Sequence, residues 1–227
     1  MSSYVLIHGA SHGAWCWERV IPHLEADPRV EAVVALDMPG RGALRACKPL
    51  DEITLEDFVD HAAGEIEARD LRDVVLVGHS MAGLTLPPAA HRVPERLRRL
   101  VYLASSHPQQ GQTVMDLMDH PLSPISRGIS MEQMFCNDLD TDTTQWLMSR
   151  LCDEPPRLMQ TPVEVTRPPA GIPSTFVVLE KDETLPPDYQ REQAATAGAE
   201  EVISFDTGHS AFAAQPRELA ALLLTYA

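Results

Sequence analysis

The chain has 227 residues and a mass of 25.0 kDa, enough for one domain with a well-buried core. Apolar residues at 44% and charged residues at 22% are ordinary for a globular protein and argue against wholesale disorder. A formal net charge of −15 argues against nucleic acid or an anionic membrane surface as a partner, since both would repel it.

Strand-like residues begin at Tyr4 with no basic segment and apolar core before them, so no targeting segment is expected. No apolar run reaches the length of a membrane span. Cys16, Cys47, Cys136 and Cys152 show no C-x-x-C pairing and no clustering with histidine. They read as free, buried thiols in a reducing cytoplasm, with no metal site.

Tyr4-Val5-Leu6-Ile7-His8 reads as a first strand. It runs into His8-Gly9-Ala10-Ser11-His12-Gly13-Ala14-Trp15, whose small residues allow a tight turn with N–H groups free to face a ligand. Residues 15–26 are predicted as a helix. Glu31-Ala32-Val33-Val34-Ala35-Leu36 is a second strand, closed by the turn Asp37-Met38-Pro39-Gly40-Arg41-Gly42. Thr54 caps a helix reaching to about Arg69, with Asp57 at its third position. Val74-Val75-Leu76-Val77 is a short buried strand, followed by Gly78-His79-Ser80-Met81-Ala82-Gly83. Residues 81–92 suit a helix interrupted by Pro87-Pro88. An interior proline costs about 3 kcal/mol, so a kink or a short first segment is expected.

Leu100-Val101-Tyr102-Leu103-Ala104, Thr175-Phe176-Val177-Val178-Leu179 and Glu201-Val202-Ile203-Ser204-Phe205 complete six strands. Helices are predicted from Pro187 to about Ala197 and from Pro216 to about Tyr226. This alternation means a mostly parallel sheet with helices on both faces. Residues 107–170 separate two strands by far more than a crossover helix needs, and such insertions are usually lids or binding loops. The expected division is therefore a core of residues 1–106 and 171–227 with a helical lid at 107–170. The lid holds six of the nine methionines, Met115, Met118, Met131, Met134, Met148 and Met159. Methionine suits an adaptable pocket for apolar ligands.

Gly78-x-Ser80-x-Ala82 after a strand is the pattern of a nucleophile elbow, in which a strained turn lifts a serine hydroxyl above the sheet. The residues two before and two after the serine nearly touch, so both must be small; the usual second glycine is here Ala82. A serine needs a histidine to accept its proton and a carboxylate to orient that histidine. In a sheet of this type both follow the serine in the chain, each just beyond a strand. Of nine histidines only His209 follows the last strand. His8 and His12 suit structural hydrogen bonds in the glycine turn, and the His79 side chain should point away from that of Ser80. Asp182 is the favoured acid, with Glu180 and Glu183 as alternatives. The oxyanion donors expected are Met81 N–H and Ala10 N–H.

These stretches, with Val93-Pro94-Glu95-Arg96-Leu97, Asp182 through Pro186 and Gly208-His209-Ser210, resemble the α/β-hydrolase superfamily. Within it they are similar to the small-lid branch of plant methylesterases, hydroxynitrile lyases and bacterial esterases. The resemblance runs nearly end to end and is weakest in the lid. It implies an α/β-hydrolase fold and a Ser80–His209–Asp182 triad with Ala10 and Met81 as oxyanion hole. It also implies no cofactor, and often a homodimer. Lyases of this branch that use lysine place it directly after the catalytic histidine, where this chain has Ser210. They tend to carry a hydroxyl or amide side chain where it has Gly9. The pattern is thus that of an esterase acting on a small, largely apolar ester. Carbon–carbon bond cleavage and a non-catalytic small-molecule-binding protein are the alternatives.

Overall fold

Six strands form one sheet in the computed structural model, which describes residues 1–227. They are β1 (Ser2–Ile7), β2 (Val30–Leu36), β3 (Val74–His79), β4 (Leu97–Leu103), β5 (Ser174–Leu179) and β6 (Glu201–Phe205). The order is β2-β1-β3-β4-β5-β6, and every neighbouring pair is parallel. β1, β3 and β5 are buried along their whole length, while the edges β2 and β6 are partly open. That explains the unbroken apolar runs, because a strand covered on both faces has no solvent side for polar residues.

The helices are α1 (Ile21–Glu25), α2 (Leu55–Ala68), α3 (Leu86–Arg92), α4 (Val114–Met118), α5 (Pro124–Arg127) and α6 (Met131–Cys136). They continue with α7 (Thr141–Met148), α8 (Pro156–Gln160), α9 (Pro187–Ala197), α10 (Ala211–Ala214) and α11 (Pro216–Leu223). Successive strand residues point to opposite faces, and the core divides accordingly. Val5, Ile7, Leu76, Phe176 and Val178 pack with α2, α3 and α9. Tyr4, Leu6, Val75, Val77, Val177 and Leu179 pack with α1, α10 and α11 on the other face. The insertion between β4 and β5 carries α4–α8. No helix is long and apolar enough to cross a membrane.

Two local departures from expectation, and one break that was expected, each have a physical cause. Residues 15–26 are not one helix: a 3₁₀ turn at Ala14–Trp17 stops, and α1 starts at Ile21. In a helix begun at Trp15, Pro22 would clash with the carbonyl four residues back; in the first turn of α1 it costs nothing. Pro87 likewise lies in the first turn of α3, after a separate 3₁₀ turn at Ser80–Leu84, which is the short first segment expected. The short helix α10 was not anticipated, since four residues rich in alanine carry no period.

The chain leaves β1 to one side to form β2, then crosses back to place β3 on the other side. In an open parallel sheet that reversal opens a crevice beyond the carboxyl ends of the two strands. The turns after β1 and β3 meet there.

Candidate active site

Ser80 follows β3 with φ +53°, a left-handed conformation for a non-glycine residue. Such strain costs about 1–3 kcal/mol and survives only when neighbours enforce it. Ser106 N–H donates to Ser80 C=O at 3.0 Å, and Ser105 Oγ donates to Gly78 C=O at 2.9 Å, so the end of β4 grips the elbow. A Cβ on Gly78 would lie 3.0 Å from the Ala82 Cβ and 2.3 Å from Leu86 Cδ1. With Gly78 bare, the methyl of Ala82 fits. That is why the departure at Ala82 is tolerated.

Asp182 sits in the turn after β5 and His209 in the loop after β6. The structure brings them to Ser80: His209 Nδ1 lies 2.7 Å from Asp182 Oδ2, and His209 Nε2 lies 3.0 Å from Ser80 Oγ. A carboxylate only accepts, so Nδ1 carries the proton and Nε2 is free to accept from the hydroxyl. Asp182 Oδ1 accepts Thr184 N–H at 2.7 Å and Leu185 N–H at 3.0 Å, while Oδ2 also accepts Gln190 Nε2 at 3.1 Å. Gln190 is fully buried and further bonds Leu179 C=O, Leu179 N–H and Leu185 C=O, tying the acid turn to α9. Sequence reasoning missed it; the signal was a glutamine on the inward face of α9. The rival acids lie elsewhere. Glu180 pairs with Arg191 at 2.6 Å, and Glu183 is exposed.

The turn after β1 faces Ser80. A Cβ on Gly9 would stand 2.8 Å from Ser80 Cβ, so only glycine fits. His8 Nδ1 donates to Gly9 C=O at 2.9 Å while its Nε2 accepts Met38 N–H at 3.2 Å. His12 Nδ1 donates to Ala10 C=O at 2.6 Å. Burial holds both rings neutral, pushing His8 down to about 3 and His12 down to about 4. The structural role expected of the pair is the one they play. Ala10 N–H has no protein acceptor. His79 reaches His209 C=O from Nε2 at 2.9 Å, and its ring lies 4.6 Å from that of His209. Ser11 N–H donates to Glu154 Oε2 at 2.6 Å, and Arg41, itself 1% exposed, pairs with that oxygen at 2.7 Å. Burial pushes the Glu154 carboxyl pKa up, and the Arg41 charge opposes that shift.

Above Ser80 lies a pocket lined by Ala10, Ser80 and Met81 at its floor, by the insertion, and by Thr184, Leu185 and Tyr189 beyond β5. Met118, Met134 and Met159 line it, whereas Met115 and Met131 are exposed and Met148 packs on the core. None of the lining residues carries a charge. Three of its hydroxyls are spent on the insertion's own carbonyls: Ser123 on Met118, Thr184 on Met134 and Tyr189 on Leu117. No group of three His, Cys, Asp or Glu is placed to hold a metal ion. All four cysteines are unpaired; Cys16 and Cys136 are buried, but Cys47 is exposed, against the expectation of burial.

Comparison with known proteins agrees with this architecture. A "carbendazim hydrolyzing esterase" from Nocardioides sp. is 36% identical over 125 residues, 55% of this chain and 50% of that protein. A "probable esterase" from rice is 39% identical over 48% of this chain and 41% of that one, so these matches span about half of either relative or less. Methylesterase 3 of Arabidopsis thaliana is 27% identical across 98% of this chain and 95% of its own. Among solved structures, an extracellular alpha/beta-hydrolase from a Paenibacillus species superposes with a TM-score of 0.84 at 21% identity, covering 100% and 99% of the two chains. An Arabidopsis methylesterase superposes at 0.79 with 23% identity, covering 99% and 98%. The sequence model of the alpha/beta hydrolase family matches residues 4–222, nearly the whole sheet and everything hung on it, and the chain belongs to that family.

Proposed function

We propose that this protein is a serine hydrolase that cleaves neutral, largely apolar carboxylic esters through an acyl–Ser80 intermediate. The observation carrying the reading is the continuous line of hydrogen bonds from Asp182 through His209 to Ser80, opening onto an uncharged pocket. Relatives named esterases and methylesterases support it.

His209 Nε2 takes the Ser80 proton as Oγ attacks the ester carbonyl carbon. Ala10 N–H and Met81 N–H receive the negative charge that develops on the carbonyl oxygen. The tetrahedral intermediate collapses by breaking the bond to the alcohol oxygen, which takes the proton from His209. Water then gives a proton to the same nitrogen and attacks the acyl carbon, and the second tetrahedral intermediate breaks its bond to Oγ, which takes that proton back as the acid leaves. Asp182 keeps its charge throughout and holds the imidazole tautomer. Residues 107–170 act as the lid that sets which acyl and alcohol groups fit.

The features that support hydrolysis over carbon–carbon cleavage are steric and electrostatic. At Gly9 there is no room for a hydroxyl or amide side chain beside Ser80, and buried Ser210 brings no cation next to His209. Ser80→Ala is expected to lower kcat against p-nitrophenyl butyrate by about 10⁴-fold or more. A fluorophosphonate should label Ser80 in the unaltered protein. Hydrolysis undiminished in the variant would falsify the proposal, and a folded protein that resists the probe would point to a binding role instead.

A further inference from the structure

Ser11, next to the oxyanion turn's Ala10, adopts φ +60° without being glycine. Contacts must hold it there, and bonds within the turn are joined by two from the far limb of the insertion. Ser11 N–H donates to Glu154 Oε2 at 2.6 Å, and Ser11 C=O accepts Cys152 N–H at 3.0 Å. Ala10 therefore sits between two fixed peptide planes. The one before it, which carries Ala10 N–H, is held by His8 through Gly9 C=O. The one after it is held at its oxygen by His12 and at its nitrogen by Glu154.

We infer that Glu154 is a positioning residue for oxyanion stabilisation: its carboxylate locks Ser11 and so aims Ala10 N–H at the carbonyl oxygen above Ser80. The inference rests on the ester-hydrolysis reading above. Arg41 completes the device, because a single carboxylate oxygen serves both the Ser11 N–H and the guanidinium. Without that countercharge a carboxylate so enclosed would be costly to ionise. Preorganised donors act only if they stand where the charge will develop, so a displaced turn should slow the chemical step and leave substrate binding alone.

Two substitutions separate this role from simple support of the fold. Glu154→Asp keeps a negative charge near Arg41 but draws the shared oxygen back from both Ser11 N–H and the guanidinium by about 1.5 Å, the length of one carbon–carbon bond. Glu154→Gln keeps an oxygen in reach of Ser11 but removes the countercharge. For p-nitrophenyl butyrate, E154D is expected to lower kcat about tenfold or more with KM within about twofold. Its affinity for phenylboronic acid, which forms a tetrahedral anion on the serine, should fall by a similar factor. E154Q should keep kcat within about threefold of the original while melting at a lower temperature, since Arg41 then lacks its partner. The opposite ranking, with E154D unimpaired in kcat and boronate affinity, overturns the inference. Full hydrolysis by S80A would remove the esterase reading, and this assignment with it, so the two failures are distinct.

Discussion

A carboxylate orients a histidine only as well as it is itself held, and here much of that holding falls to residues with no chemistry of their own. Gln190 joins Asp182 to the backbone on either side of the acid turn. Gln190→Leu removes those bonds and leaves buried carbonyls unsatisfied, so kcat should fall about tenfold and stability by about 1–3 kcal/mol. Steady-state kinetics and denaturant titration of the same preparation measure both. Gly208 plays the matching part for the base. Its N–H donates to Asp138 Oδ2 at 2.6 Å, and an added Cβ would sit 2.5 Å from Asn137 Oδ1 and 2.5 Å from Asp138 Oδ1. Gly208→Ala must push the His209 loop from the Asn137–Asp138 turn, and a loss of about tenfold or more in kcat is expected. The triad positions were legible because strand order and chain order dictate where an acid and a base can stand. Gln190 and Asp138 were not, because contacts between residues far apart in the chain leave no local pattern.

Regular elements were legible where a residue acts on its own neighbourhood. Thr54 and Asp57 form the reciprocal cap of α2 that their spacing suggests, with Thr54 N–H donating to Asp57 Oδ2 at 2.8 Å. Pro22 shows the limit, since whether a proline starts a helix or breaks one depends on where the chain has room to begin. The insertion was the least legible part: helices of four to eight residues are too short for a hydrophobic period to declare itself. What composition did foreshadow was its methionine content, and half of those six side chains face the pocket. With a wall of that kind, each methylene added to a linear acyl chain should raise kcat/KM by roughly fourfold, or about 0.8 kcal/mol, until the pocket is full. Met159→Ala should move that limit to longer chains. A series of p-nitrophenyl esters from acetate to decanoate checks both, and a profile that is flat in both proteins contradicts the apolar-pocket assignment.

Across the whole molecule five histidines are buried; besides His209 they are His8, His12, His79 and His107, all held as neutral rings. Burial pushes His8 and His107 down to about 3 and His12 to about 4, and holds His79 well below its ordinary value. The unfolded chain binds these protons near pH 6.5 and the folded chain does not, so folding stability rises with pH through that interval and drains away below it. Each ring contributes about 1.4 kcal/mol per pH unit below 6.5, down to its folded value. Urea midpoints measured from pH 7 to pH 4.5 should therefore drop steeply before most carboxylates titrate. Replacing His107, whose ring packs edge-on against Tyr102 and leaves Nε2 without a partner, with an uncharged residue of similar size should make that slope shallower. The insertion has a different whole-molecule consequence. It furnishes much of the pocket wall and also grips the turn after β1 through Glu154, the Asp182 loop through Asn137 on Lys181 C=O, and the His209 loop through Asp138. A chimera that borrows another family member's cap to change its substrate range would exchange those fastenings along with the wall. Substrate choice and turnover are thus inherited together here, and a graft that ignores residues 137, 138 and 154 should trade speed for its new selectivity.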